Sequence, residues 1–409
     1  MIESPWTILR RLPRTVRLLV TGSFVNRAGT LIVPYLTLVL RREFHFEPGA
    51  VAALLFAYGI GTLISILVGG VLTDRLGRRL VLVASLLGGG AIALALSVAG
   101  SLHLFVLLLL GFGFLAEMYR PASSAIIADL LPSSQRAVGF AALRVAVNLG
   151  FAVGMVVGGL LADWSWRALF LGDGLTTIAF GFLALFGIPE TGPGRETSRS
   201  APPPPAHGPW RDRTYLVLML VSLVFSTTLL ANFTVLPLTI ALSAGYPTVV
   251  YGLVVGLNGV LVALFEISVV AWLSGFRRLR LAAAGVLLSG MGFALNGVAP
   301  HWAAYLAAVV TWTAGEILTM PQQMAFIADW SPPAARGRYL SFFTATFSLG
   351  WAINPILLLP AHAWLGDSAF WPLLGAPLVP AAALLLWLDR TADRPERLRG
   401  ALGEATPPR

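Results

Sequence analysis

Residues 117–136 read EMYRPASSAIIADLLPSSQR, and residues 315–336 read GEILTMPQQMAFIADWSPPAAR. At an offset of 200 the two stretches match at Pro121/Pro321, Ala125/Ala325, Ile127/Ile327, Ala128/Ala328, Asp129/Asp329, Pro132/Pro332 and Arg136/Arg336. The match resumes where Leu149, Gly150 and Ala152 face Leu349, Gly350 and Ala352. Identities at one constant offset mark an internal repeat, so the chain is two related halves. Each copy sets a glutamate, Glu117 or Glu316, one turn before its proline in an otherwise apolar segment. A carboxylate is costly in such surroundings, which makes both glutamates functional candidates.

The rest of the composition agrees with an apolar setting. Of 409 residues, 57% are hydrophobic and 11% charged, with mean hydropathy +0.80. Soluble domains carry roughly 25% charged residues, so a polytopic membrane protein is expected, with the lipid bilayer as its surroundings. Cysteine is absent, which excludes disulfides and thiolate metal sites. All 28 basic residues are arginine.

Apolar runs of the roughly 20 residues that a spanning helix needs number twelve. The first six cover roughly 16–40, 50–72, 80–100, 104–127, 139–162 and 168–188. The second six cover roughly 214–240, 249–273, 281–299, 303–327, 338–360 and 370–388. The first run follows Arg10, Arg11, Arg14 and Arg17 but continues past Asn26 and Arg27 to Leu40, so it is expected to be an uncleaved helix. Four parts follow: a six-helix bundle over 1–188, a polar Pro-rich linker over 189–213, a second bundle over 214–389 and a tail over 390–409.

Arginine sets the expected orientation. With the N-terminus inside, 22 arginines fall in cytoplasmic segments and 3 outside (Arg41, Arg42 and Arg167). Arg27, Arg120 and Arg144 remain within helices. Both termini are therefore expected in the cytoplasm. This placement also explains the net charge of +9 without nucleic acid. Trp164, Trp166, Trp302, Trp364 and Trp371 fall near outer helix ends, as interfacial anchors would. Asp173, near the outer end of the sixth helix, is expected to pair with Arg167.

Between the second and third helices lies Gly70-Val-Leu-Thr-Asp74-Arg75-Leu-Gly77-Arg78-Arg79. This segment resembles the G-x-L-x-D-R-x-G-R-R loop of the major facilitator superfamily, and the twelve runs, central linker and related halves extend the resemblance over the whole chain. The resemblance implies an all-α membrane protein of 12 transmembrane helices in two pseudo-symmetric six-helix bundles. It implies a cytoplasmic gate in which Asp74 faces the start of helix 11 near Gly337 and Arg78 pairs with Asp129. The second-half counterpart, Ser274-Gly275-Phe276-Arg277-Arg278, keeps arginines without a carboxylate, so an asymmetric latch is expected. In helix 5, Gly150, Gly154, Gly158 and Gly159 make one smooth packing face. They resemble the superfamily's antiporter pattern, with Met155 where that pattern has proline. Gly315-Glu316 followed by Pro321 resembles the helix 10 segment of proton-driven multidrug exporters, which implies that Glu316 is a protonated group.

The resemblance also implies that helices 1, 4, 7 and 10 line the cavity. That places Arg27, Glu117, Arg120, Asn232 and Glu316 on the substrate path, although Glu117 and Arg120, three residues apart, can also neutralise each other. Candidate proton sites are Glu316, then Glu117, then Glu266. Glu266, and Arg144 with Asn148 on one face of helix 5, read as structural. No Walker sequence or hydrolase constellation occurs. His45, His103, His207, His301 and His362 fall in loops and the linker without metal spacing. No enzyme activity, metal or cofactor is expected, and a proton gradient supplies the energy. The expected protein is a monomeric antiporter of a bacterial inner membrane that exports small, partly lipophilic compounds in exchange for protons. Export of sugars or anionic metabolites, the latter suggested by Arg27 and Arg120, stays open, as does a sensor built on the same fold.

Overall fold

A computed structural model describes residues 12–191, 209–298, 301–332 and 336–391, and the described residues form helices without strands. Eleven of their helical spans are long and apolar enough to cross a bilayer. They are α1 (Arg14–Arg42), α2 (Pro48–Leu76), α3 (Arg78–Ser97), α4 (Leu102–Leu130), α5 (Val138–Trp164) and α6 (Trp166–Gly187), followed by α7 (Arg213–Ser243), α8 (Thr248–Trp272), α9 (Arg278–Leu295), α10 (Trp302–Trp330) and α11 (Arg338–Thr391). Most of the expected linker and tail lie outside the described residues.

Local chemistry sets several boundaries. Pro48 opens α2 with φ already fixed for a helix. Asp212 accepts from the Tyr215 N–H at 3.2 Å and caps α7. Gly77, at φ 103°, turns the chain between α2 and α3 in a conformation that side chains resist. Three spans are interrupted rather than straight. α1 breaks between Ala28 and Ile32, and α4 between Leu115 and Tyr119. α7 passes through short turns after Leu229 and ends in a π-helical turn at Thr239–Ser243.

α11 runs 54 residues, and Gly366 within it is non-helical at φ 69°, ψ 169°.

Helices α1–α6 pack among themselves, chiefly α3 on α6, α1 on α5 and α6, and α2 on α4. Helices α7–α11 do the same: α9 lies on α10 and on the last turns of α11, α7 on the first part of α11, and α8 on α10. The two groups meet where α5 packs on α8 and α2 on α11. The second helix of each group thus meets the fifth of the other, as the repeat requires.

The joining is uneven along the helices. At the end away from Gly77, one apolar core runs through both groups, from Tyr35, Leu36 and Phe105 to Tyr251, Phe293 and Trp371. At the Gly77 end, the first group keeps a separate core of Val16, Leu82, Ile126 and Phe180. The outer surface of the helices carries exposed Leu107, Leu160, Leu264 and Met291, which suits lipid rather than water.

The tryptophans divide. Trp164, Trp302 and Trp364 are exposed, as anchors should be. Trp371 is fully buried and donates to the Thr239 hydroxyl at 3.1 Å, so it belongs to the core and not to an interfacial belt. Trp166 packs edge-on against Phe44, Phe105 and Phe170. His103 and His362, expected in loops, lie inside helices, and His362 pairs with Asp367 at 2.8 Å.

Candidate functional site

Glu316 projects from α10 into a cavity of about 160 Å³ between α5, α8 and α10. Its walls are Arg144 and Asn148 of α5, Val262 and Glu266 of α8, and Glu316, Ile317 and Met320 of α10. Helical spacing puts Arg144 and Asn148 on one face of α5, and Asn258, Val262 and Glu266 on one face of α8. The Asn258 amide donates to Glu316 Oε2 at 2.8 Å and to the Thr313 hydroxyl at 3.1 Å. Arg144 forms an ion pair with Glu266 across the seam between the two helix groups. Its guanidinium also interacts electrostatically with Glu316. The site therefore holds two carboxylates facing one permanent cation.

Of the residues expected on the substrate path, Glu316 alone is among the walls of this cavity. Glu117 is instead ion-paired with Arg120. Arg27 interacts electrostatically with Glu117 and Asp173. Asn232 is buried in the broken part of α7, where its backbone carbonyl accepts from the Tyr251 hydroxyl at 2.9 Å. The repeat explains part of the difference. At the offset of 200, Glu117 faces Ile317, so the two glutamates are one residue out of register. One residue is roughly a 100° turn about a helix axis. The break in α4 at 116–118 separates them further.

Asp173 departs from its expected pairing with Arg167. It is 4% exposed, and its Oδ2 accepts from the Leu31 and Ile32 N–H groups at 3.1 and 3.2 Å. These N–H groups stand at the start of the second segment of α1, where the helix supplies no partner; that of Leu31 also donates to the Gly29 carbonyl at 2.8 Å. Thr177 and Asn26 complete the network at 3.3 and 2.9 Å. Arg167 lies over the Trp166 ring instead. Asp173 stands two turns inside α6 on its α1 side, out of reach of the helix start.

At the Gly77 end, Arg78 Nε meets Asp129 Oδ2 at 3.1 Å, and its NH1 reaches the Thr73 carbonyl at 3.1 Å and Asp74 at 3.7 Å. Asp74 is 76% exposed, and Arg78 is its only ion-pair partner among the described residues. Arg75 is exposed. The expected contact of Asp74 near Gly337 adjoins residues 333–335, which lie outside the described residues. The Glu190 carboxylate accepts from the Arg78 and Arg79 N–H groups at 2.7 and 3.2 Å, holding the start of α3 as an acid at a helix N-terminus should.

The second group repeats the pattern despite its acid-free loop. Arg278 pairs with Asp329, the mates of Arg78 and Asp129 at the offset of 200. Asp389 takes Arg277 at 3.0 Å and Arg280 at 2.8 Å. The expected asymmetry is thus confined to the loop. The carboxylates arrive from α10 and from the end of α11.

At the opposite end, polar contacts cross between the groups. Arg42 donates to the Ala241 carbonyl at 2.8 Å and to the Thr248 hydroxyl at 2.9 Å. Asp163 accepts from the Thr248 and Val249 N–H groups at 3.0 and 3.2 Å. The glycine face of α5 lies in this region. Gly150 and Gly154 bear on the backbone of α1, Gly158 on Tyr35 and Leu31, and Gly159 on Val249 of α8. From the other side, Gly252, Gly256 and Gly259 of α8 press on Met155, Ala152 and Asn148. The seam is closed here, and farther along it lies the cavity walled by Arg144 and Glu266.

Sequence reasoning passed over Asn258, Glu190 and Asp389. A polar residue at helical spacing from Glu266 in an apolar helix signalled the first. The repeat signalled the others, since each closes the last helix of its half.

Comparison with known proteins agrees with this architecture. The chain is 25% identical to a Na(+), Li(+), K(+)/H(+) antiporter of Planococcus maritimus over 93% of its own length and 97% of that protein. It is 29% identical to the quinolone resistance protein NorA of Staphylococcus aureus over 38% of each chain. A crystal structure of a POT family transporter in complex with 5-aminolevulinic acid superposes with a TM-score of 0.79 at 14% identity, covering 94% of this chain and all of that one. The family model of the Major Facilitator Superfamily matches residues 18–355. With that match across most of the chain, over helices that meet pairwise as its internal repeat demands, this is a membrane transporter of the Major Facilitator Superfamily and not an enzyme.

Proposed function

We propose that the chain is a proton-driven exporter of small, partly lipophilic compounds, working by alternating access between two six-helix bundles. The observation that carries this reading is Glu316, an acid within α10 that faces a cavity shared with Glu266 and Arg144. An ionised carboxylate at that depth is costly and a protonated one far cheaper, so a proton is a natural ligand. The seam is closed by glycine packing at one end and holds the cavity toward the other, an arrangement that fits one limb of an alternating cycle. The similarity to the quinolone resistance protein NorA supports drugs as cargo, and the similarity to the Planococcus antiporter supports exchange for protons.

The α11 span counts as two crossings. Its 54 residues would extend about 80 Å as one helix, against a hydrocarbon core of about 30 Å, and Gly366 divides it. That makes twelve crossings. The arginine distribution supports a cytoplasmic linker and cytoplasmic termini, in a bacterial inner membrane. The transporter works as a monomer, with the proton gradient and no cofactor.

A second reading is exchange of monovalent metal cations for protons. It is favoured by the full-length similarity to the Planococcus antiporter. Reconstituted protein separates the two. Ethidium, as a lipophilic probe, and sodium ions are offered in turn under an imposed pH gradient, with internal pH recorded. Ethidium-dependent proton flux supports drug export, and sodium-dependent flux alone supports the second reading. Absence of both contradicts proton-coupled antiport.

A further inference from the structure

Both acids of the cavity belong to the second helix group, and the cation belongs to the first. Arg144 leaves α5 and meets Glu266 of α8 where the seam holds the cavity. About two turns along α8 from Glu266, the same seam is closed at backbone distance. There a Cβ on Gly259 would come within 2.8 Å of the Asn148 carbonyl. The guanidinium is half-exposed to the cavity, while Glu266 is 7% exposed and fixed in the α8 face. Glu316 stands on the neighbouring wall, held by Asn258 at 2.8 Å.

We infer that Arg144 is a positioning residue, a cation tethered to Glu266 and shared with Glu316 when Glu316 is ionised, and that this sharing sets the separation of α5 and α8. The inference rests on Glu316 being the proton site. A guanidinium carries a permanent charge and five donors in a planar fork, enough to engage two carboxylates at once. With Glu316 protonated, one acid and one cation remain, and Arg144 stays on Glu266. With Glu316 ionised, a second attraction acts across the seam and draws α5 toward α10. Proton binding in the second bundle is thereby read as a change of spacing between bundles, a ligand acting through its different contacts in two states.

Other charges around Glu316 are engaged elsewhere. On α9, Arg278 and Arg280 are held by Asp329 and Asp389. On α11, Arg338 is exposed at the start and His362 pairs with Asp367 beyond the cavity. On α1, which packs on α5, Arg27 interacts with Glu117 and Asp173.

The test is a distance measurement on full-length protein in lipid. The chain has no cysteine, so spin labels at Val138→Cys and Trp272→Cys report the spread of α5 from α8 without background. Both positions are exposed, at 40% and 80%. The wild type should show a pH-dependent shift, with shorter separations at high pH. Glu316→Gln should hold the low-pH distribution at every pH. Arg144→Gln should lose the shift, and Arg144→Lys, which keeps the charge, should retain it. A purely structural arginine would not make the pH profile depend on charge in this way. Retention of the full shift by Arg144→Gln, or no shift in the wild type, overturns the inference. Gradient-driven transport measured on the same samples separates the two readings. If Glu316→Gln abolishes it while Arg144→Gln keeps the wild-type distance profile, the proton site stands and the role of Arg144 falls.

Discussion

Replacing Asp173 by alanine strands the Ile32 N–H, which opens the second segment of α1, and leaves the Leu31 N–H with the Gly29 carbonyl alone. In the wild type the carboxylate takes both, from Leu31 at 3.1 Å and Ile32 at 3.2 Å, in a site that is 4% exposed. A buried donor left without a partner costs about 1–3 kcal/mol. The one stranded donor gives a loss of roughly 1–3 kcal/mol, before any cost from the weakened Leu31 bond or the Thr177–Asn26 pair that leans on the same acid. Asp173→Asn keeps the volume and one carbonyl acceptor but loses the charge, and neutral hydrogen bonds are about half as strong. Its loss should lie between wild type and alanine. Thermal unfolding of purified protein in one fixed detergent gives the ordering. Arg167→Ala serves as the control, because Arg167 lies over Trp166 and an exposed cation–π contact is worth about 0.5–1 kcal/mol. If Asp173→Ala melts with the wild type, or if Arg167→Ala is as damaging, the cap is not the role of Asp173 and the interfacial pairing returns.

The closed end of the seam gives another test. Gly252→Leu puts a side chain onto the Met155 carbonyl and within 2.8 Å of the Tyr35 hydroxyl. Overpacking of about 1–3 kcal/mol should shift the population away from this closed form roughly 5- to 150-fold, read from spin-label distances across that end; an unshifted distribution refutes the packing argument. Asp74→Asn, at an exposed loop position, should change stability by less than about 0.5 kcal/mol yet slow transport, because the gate contact that the resemblance implies would form in only one of two states. Normal transport would leave Asp74 as a solvated loop charge. Reporter fusions in the 189–213 linker and after Arg409 should both report the cytoplasm, and a periplasmic signal at either reverses the map.

The sequence made the spans and the repeat readable because both live in runs of residue type. Apolar length marks a membrane helix, and a constant offset marks duplication. The breaks in α1, α4 and α7 left no such trace, since an interrupted helix is as apolar as a straight one. The partner that stabilises the α1 break, Asp173, lies 141 residues from Ile32. Trp371 has the composition of an interfacial anchor but fills the core beside Thr239. At the candidate site, Glu316 stood out because acids are rare in apolar helices. Its setting did not, because Arg144, Asn258 and Glu266 arrive from two other helices whose relative rotation no local pattern records. The signature loop pointed to Arg78 and Asp129, whereas Glu190 and Asp389 became legible only when the two halves could be compared at their last helices.

The central claim is that Glu316 carries the coupled proton, and Glu316→Gln tests it most directly. Glutamine matches the protonated acid in size and polarity, so the variant should fold and keep its Asn258 neighbour. Two readings are taken on inverted membrane vesicles: substrate uptake with and without an imposed pH gradient, and downhill exchange of the same substrate. The variant should lose gradient-driven accumulation while retaining downhill exchange. Full gradient-driven accumulation by Glu316→Gln would contradict the claim and pass the role to Glu117 or Glu266.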